Sequence, residues 1–200
     1  MMINQHGGQS EQTRVVDHFV ATDLGTPFKV VLHKAVRVTF NDRNEAISYS
    51  IPDLDGLLRA TVIARILHER KLSGSDIRFV RRAIGVKQKD VARSIEMSPE
   101  HLSRCEAGNL VMSPTSEKLL RIFALKTVVK LNRIKACEAK TKLEDALDKL
   151  FEVMKPISAH SVEHVLEFHF RRTRPSSDVE GDDADDVGGQ WDDGQLAEAA

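Results

Sequence analysis

The sequence predicts a mainly α fold: a five-helix core built around a helix-turn-helix, with a β-hairpin ahead of it, a long C-terminal helix behind it and a disordered acidic tail. Three observations carry that expectation. From Leu54 as far as Met154 apolar residues recur at helical spacing, punctuated by helix-start signals at Ser73, Ser98-Pro99 and Ser113-Pro114. Phe28 to Phe40 is instead dense in valine and is followed by the alternating run Glu45 to Ile51, which is strand patterning. The 26 residues from Pro175 hold nine acids and no base.

Residues 1–25 are polar and weakly patterned, and are expected to form a flexible N-terminal arm. Phe28 to Phe40 and EAISYSI, joined by NDRN, predict the hairpin. A hairpin alone is marginal in water. It must therefore pack on the next helix, which Asp53 caps and which turns Leu54, Leu57, Leu58, Val62, Ile66 and Leu67 toward it; hairpin and helix make a unit over 26–72. Ser73-Gly74-Ser75 stops that helix and caps another, with Ile77, Val80 and Ile84 as its inward stripe.

The segment Gln88 to Asn109 carries the sharpest pattern. A helix of about eight residues opens at Gln88 and turns Val91, Ala92 and Ile95 inward, Ala92 being small where two helix backbones must approach. Glu96 to Ser98 form a turn plugged by Met97. Ser98 followed by Pro99 starts the second helix, because the serine hydroxyl accepts from an orphan amide and proline has no amide to orphan. That helix runs to about Glu106, with Leu102 and Cys105 inward and Glu100, His101, Ser103 and Arg104 outward; Gly108 and Asn109 stop it. After Ser113-Pro114, Leu119, Ile122 and Phe123 close the small core, so the helix-turn-helix unit spans 73–126.

Residues 127–173 are expected to be a helical dimerisation region. Leu143, Leu147, Leu150 and Met154 form a seam that suits a second copy or an intramolecular contact with the hairpin and its helix. Val165 to Arg172 fits a strand or a helix equally. Residues 174–200, rich in Asp and Gly, cannot build a core and are expected to be disordered, either solubilising the chain or folding back on its basic body.

Charge points to a partner. Residues 1–174 hold 29 bases against 21 acids, a net of +8 that the acidic tail reduces to -1 overall. A basic body attracts nucleic acid by counterion release, and two short helices crossing through a tight turn are a geometry that reads double-stranded DNA. On that reading Glu100, His101, Ser103 and Arg104 face base edges. Arg104 is foremost, since a guanidinium grips guanine through two hydrogen bonds. Lys87, Lys89, Arg93 and Arg82 lie where phosphates would pass, joined by Arg78 and Arg81; the bland alternative is a set of solvated helix faces.

Other classes find no support. No apolar run approaches a membrane span and Met1 to Ser10 has no signal-peptide pattern, so a cytoplasmic chain is expected. Cys105 and Cys137 supply neither a disulfide framework nor a four-cysteine zinc site. His160, His164 and His169, near Glu163 and Glu167, lack the HExxH order and fit a solvated face better than a metal site. No phosphate loop, nucleophile elbow or placed carboxylate pair is present, so no enzyme activity and no cofactor is expected.

Gln88, Ala92 and the Glu106-Ala107-Gly108 run resemble the Xre/Cro-type helix-turn-helix regulators, and LSGSDIRFVRRAIGVKQ (Leu72 to Gln88) is similar to the helix-turn-helix half of MqsA-like antitoxins. The resemblance covers roughly Ile51 to Leu125. It implies a lambda-repressor-like core, Gln88 at a helix start beside a DNA phosphate, a homodimer on an operator, and repression by promoter occlusion. Glu96 departs from it, standing where the family usually has glycine, and the absence of cysteine before residue 105 rules out the zinc module of MqsA-like chains. Two other readings accompany it: an antitoxin whose hairpin and arm hold a toxin while its operon is autoregulated, and an activator that recruits polymerase through the tail or the long helix.

Overall fold

The computed structural model describes residues 11–131, 145–148, 165–173 and 190–193. Its described elements are strands β1 (Gln12–Val20), β2 (Lys29–Phe40), β3 (Ala46–Ser50), β4 (Glu167–Thr173) and β5 (Gln190–Asp193), and helices α1 (Leu54–Leu67), α2 (Gly74–Ala83), α3 (Gln88–Ser94), α4 (Pro99–Glu106) and α5 (Pro114–Leu131). The expected mainly α fold with a five-helix, lambda-repressor-like core is overturned: the chain has a five-stranded mixed sheet of order β1-β2-β4-β5, with β3 also paired to β2, and α1, α2 and α5 pack apolar residues against it.

The 12-residue β2 organises this sheet. β1 runs antiparallel along one edge, from Val20 opposite Val31 to Gln12 opposite Phe40. The other edge is shared, by β4 in parallel over Lys29 to His33 and by β3 in antiparallel over Arg37 to Phe40. The β2–β3 hairpin is thus present, and three further strands join it, β1 and β5 from segments expected to be unstructured and β4 from one that fitted a strand or a helix equally. β1 lies in the supposed flexible arm; its register shifts between Val16 and His18, which resets the alternation at Asp17 and hides the strand period. β4 settles the Val165 to Arg172 ambiguity as a strand, with Phe168 and Phe170 buried on one face. β5 corrects the disordered tail at Gln190–Asp193, because Trp191 is only 6% exposed and is part of the core.

Two hydrophobic cores result. The first joins the sheet's inner face (Val30, Leu32, Val36, Val38, Phe168, Phe170, Trp191) to Leu57, Val62 and Ile66 of α1, Phe79 and Val80 of α2, and Ala124, Leu125 and Val128 of α5. The second gathers Leu72, Ile77, Val91, Ala92, Ile95, Leu102, Cys105, Met112 and Leu120. α2 and α5 contribute to both. Leu120 rather than Leu119 closes the helical core, Leu119 being 42% exposed, a one-residue error in helical phase; Leu54 is likewise exposed. Of the leucine seam, Leu147 packs with Ala146 against the first core, an intramolecular contact. Leu143, Leu150, Met154, His160 and His164 lie outside the described residues.

Local chemistry sets the helix starts. Asp53, itself left-handed (φ 44), accepts the Gly56 amide at 2.9 Å, and a Cβ on Gly56 would fall 1.9 Å from the Asp53 carboxylate. Ser73 and Asp76 form a reciprocal capping box at α2. Between α1 and α2 the chain is stapled by two buried arginines. Arg65 donates to Asp76 at 2.8 Å and to the carbonyls of Arg70 and Lys71. Arg121 donates to Glu117 at 2.8 Å and to the carbonyls of Ile66, His68 and Arg70, while Glu117 accepts the Leu72 amide. Burial pushes the Asp76 carboxyl up, but the hydrogen bond and charge of Arg65 outweigh it and hold it below the usual range. Burial lowers the Arg121 guanidinium against the opposing pull of Glu117. Removing one partner of such a pair costs about 3–5 kcal/mol, because the other is left buried and uncompensated. Among the described residues no helix is long and apolar enough to cross a membrane.

Candidate nucleic-acid interface

α3, its turn and α4 build this surface. The turn closes through the Met97 amide on the Ala92 carbonyl at 2.9 Å, and Glu96 takes φ 53 to make it, left-handed without being glycine. Ser98 accepts the His101 amide at 3.1 Å, with Pro99 in the first turn. Gly108 at φ 78 ends α4, and the Asn109 amide closes on the Arg104 carbonyl.

α4 has two faces. Leu102 and Cys105 are fully buried, and burial raises the Cys105 thiol. Glu100, His101, Ser103 and Arg104 are all exposed, side by side on the outer face. Arg82, Lys87, Lys89 and Arg93 are exposed around α3; Arg93 leaves 81% of its side chain in solvent, 3.9 Å from Asp90. One face therefore offers donors and an acceptor for base edges, flanked by cations.

Three residues have a different geometry from the one expected. Gln88 is half-buried and donates its amide to Glu106 at 3.1 Å. Arg81 is committed to the same carboxylate at 2.5 and 2.8 Å, and Arg78 donates to the Glu106 carbonyl at 3.0 Å. Glu106, 5% exposed, is thus the hub that ties α2, α3 and α4, and its hydrogen bond raises the Arg81 guanidinium above its usual value. Gly74 allows the close approach of α2 to the end of α4, since a Cβ there would meet the Cys105 carbonyl at 2.4 Å. A signal for the hub existed: Glu106 follows Leu102 by four positions on the inward stripe, and a carboxylate placed there needs a cation.

Comparison with protein-family models, curated proteins and solved structures yields no match to this chain.

Proposed function

We propose that this protein is a sequence-specific DNA-binding transcriptional regulator, a homodimeric repressor that lays α4 in the major groove and occludes a promoter. One observation carries the reading: Glu100, His101, Ser103 and Arg104 project together from a short helix whose opposite face is fully packed, beside four exposed cations. A rigid helix with a polar outer face is what base readout needs, and the cations supply the sequence-independent part of binding. The α4 module reads one half-site, so a pair of copies spans two.

Site selection from random duplexes with the full chain tests this. Enrichment of a two-half-site sequence is expected, and Arg104→Ala should relax preference at one position by about 1–3 kcal/mol while nonspecific binding holds. No enriched sequence would refute the reading, and an equal loss of specific and nonspecific affinity would make Arg104 a phosphate contact.

The antitoxin reading rests on a separate observation. Ile47 and Tyr49 of β3 and Leu54 of α1 are each about half exposed, beside a cavity of about 220 Å³ lined by Ala21, Asp23, Leu24, Tyr49, Ile51, Leu54 and Leu58. An apolar patch of this kind, with the single carboxylate of Asp23 in its lining, suits a protein partner. A small protein co-purifying with the chain, and lost on Tyr49→Lys, distinguishes this reading from a free-standing regulator.

A further inference from the structure

The outer face of the sheet carries three histidines on three adjacent strands, which the sequence scatters over 151 residues from His18 to His169. His18 of β1 stands opposite His33 of β2, their rings edge to face at 4.8 Å. His33 in turn stacks on His169 of β4 at 5.0 Å, and His33 Nε2 lies 2.7 Å from His169 Nδ1. Glu167 is 3.2 Å from His169 Nε2, so it accepts that N–H and leaves the Nδ1 lone pair aimed at His33. Lys29 holds Glu167 in place at 2.9 Å.

We infer that His33 Nε2 and His169 Nδ1 bind a divalent transition-metal ion such as Zn²⁺ or Ni²⁺, with His18 swinging in as a third ligand and water completing the shell. The two converging imidazole nitrogens share one hydrogen, carried on His33 Nε2; the ion takes its place as that proton moves, by exchange with solvent, to His33 Nδ1, so that both rings bind as neutral imidazoles. At metal–nitrogen lengths of about 2.0–2.1 Å and tetrahedral angles, the two nitrogens must open to roughly 3.3 Å, a small ring rotation at the surface. The carboxylate behind His169 supplies the support that metal-bound imidazoles ordinarily have. Among the described residues no three His, Cys, Asp or Glu side chains already surround a common point, so the site is a pre-formed pair closed by the movement of His18.

Electrostatics fit the neutral ligand form. Burial, then the neighbouring His169, His18 and Arg171, hold His33 below the ordinary imidazole value. Arg171 opposes the ion's charge, while Glu167 on the same strand favours it. The bound ion would tie the edge strand β1 to β2 and β4, and so stabilise the folded chain by mass action.

The test uses the full chain without an affinity tag, stripped of metal, titrated with Zn²⁺ against a chromophoric chelator at pH 7.5. One equivalent is expected to bind. His33→Gln and His169→Gln should each weaken it tenfold or more, His18→Gln by less, and the control His160→Gln/His164→Gln should leave it unchanged. Affinity should fall in acid, where protons compete with the ion for the ring nitrogens. Binding that survives His33→Gln and His169→Gln overturns the inference, as does no binding at millimolar Zn²⁺. If a variant unfolds, the imidazole proton resonances of His18, His33 and His169 in the native chain decide: they must shift together with the first equivalent, and unmoved signals refute the site.

Discussion

Trp191→Ala asks whether the acidic C-terminal segment belongs to the fold. The indole is 94% buried in the first core, and its Nε1 donates to the Asp53 carbonyl at 3.1 Å, at the cap of α1. A buried aromatic removes about 150–250 Å² from water, which at roughly 25 cal/mol per Å² is about 4–6 kcal/mol as an upper bound. Alanine retains part of that, and the lost hydrogen bond adds about 1 kcal/mol. Observed Trp→Ala costs of about 3–5 kcal/mol agree, so a loss of about 4 kcal/mol is expected, a large fraction of a typical domain's stability. Urea denaturation followed by far-UV circular dichroism measures it. Trp191 is the chain's single tryptophan, so native fluorescence provides an independent check: blue-shifted emission and weak acrylamide quenching are expected. A Trp191→Ala midpoint within about 0.5 kcal/mol of the native one, the range of ordinary surface changes, together with solvated emission, would refute the docking of β5. Deleting 175–200 to probe the acid run would remove this anchor too, so charge is better tested by neutralising Asp182, Asp183, Asp185 and Asp186 with Trp191 left in place.

Glu106→Gln should destabilise the chain by about 2–4 kcal/mol, because Arg81 loses its charged partner in a largely buried site; chemical denaturation reads this, and a loss under about 0.5 kcal/mol would make the hub unnecessary. Glu96→Gly should stabilise by roughly 0.5–1 kcal/mol, since glycine takes the left-handed φ 53 without steric cost but gives back some unfolded-state entropy; a lower thermal midpoint would contradict that. Acid should weaken the fold through His68, whose imidazole is held below its ordinary value by burial first and by Arg65, Arg121 and Arg70, against Glu69. Its folded value is depressed, so this contribution is present above about 6.5 and is lost as pH falls through the folded value. His33 titrates with the same sign, so the His68 share is the difference between native and His68→Asn denaturation curves from pH 7.5 to 5.

The helical half was legible because it is written in local chemistry. Asp53, Ser73 and Ser98 cap the helices the sequence assigns to them, and the outward set on α4 follows from helical period alone. The sheet was less so, for reasons that differ by strand. β1 carries a bulge at Asp17 that breaks its alternation, and β5 is four residues with a single apolar side chain. β4, for its part, pairs with β2, whose Lys29 stands opposite Glu167 across most of the chain, so the evidence for that pairing is tertiary. In the interface, Arg81 and Gln88 were legible as polar residues near the helices but not as partners of Glu106, because a helical wheel shows which face a residue takes and not what stands across from it. The three histidines on the sheet were invisible for the same reason, since only strand register brings them into one row.

The parallel pairing of β2 with β4 has a consequence for how the chain is made. Lys29 and Glu167, which pair at the start of both strands, are 138 residues apart. At synthesis rates of about 5–20 residues per second, β2 leaves the ribosome roughly 7–30 s before β4 can reach it. During that interval the β1–β2–β3 meander can form, but the first core lacks Phe168, Phe170 and Trp191. A nascent chain therefore shows an unpaired stretch of β2 and an open apolar face until β4 and β5 arrive. Stalled or truncated products of this gene should be the ones that engage chaperones and aggregate, while the finished protein covers that face with the very segments its composition would class as tail.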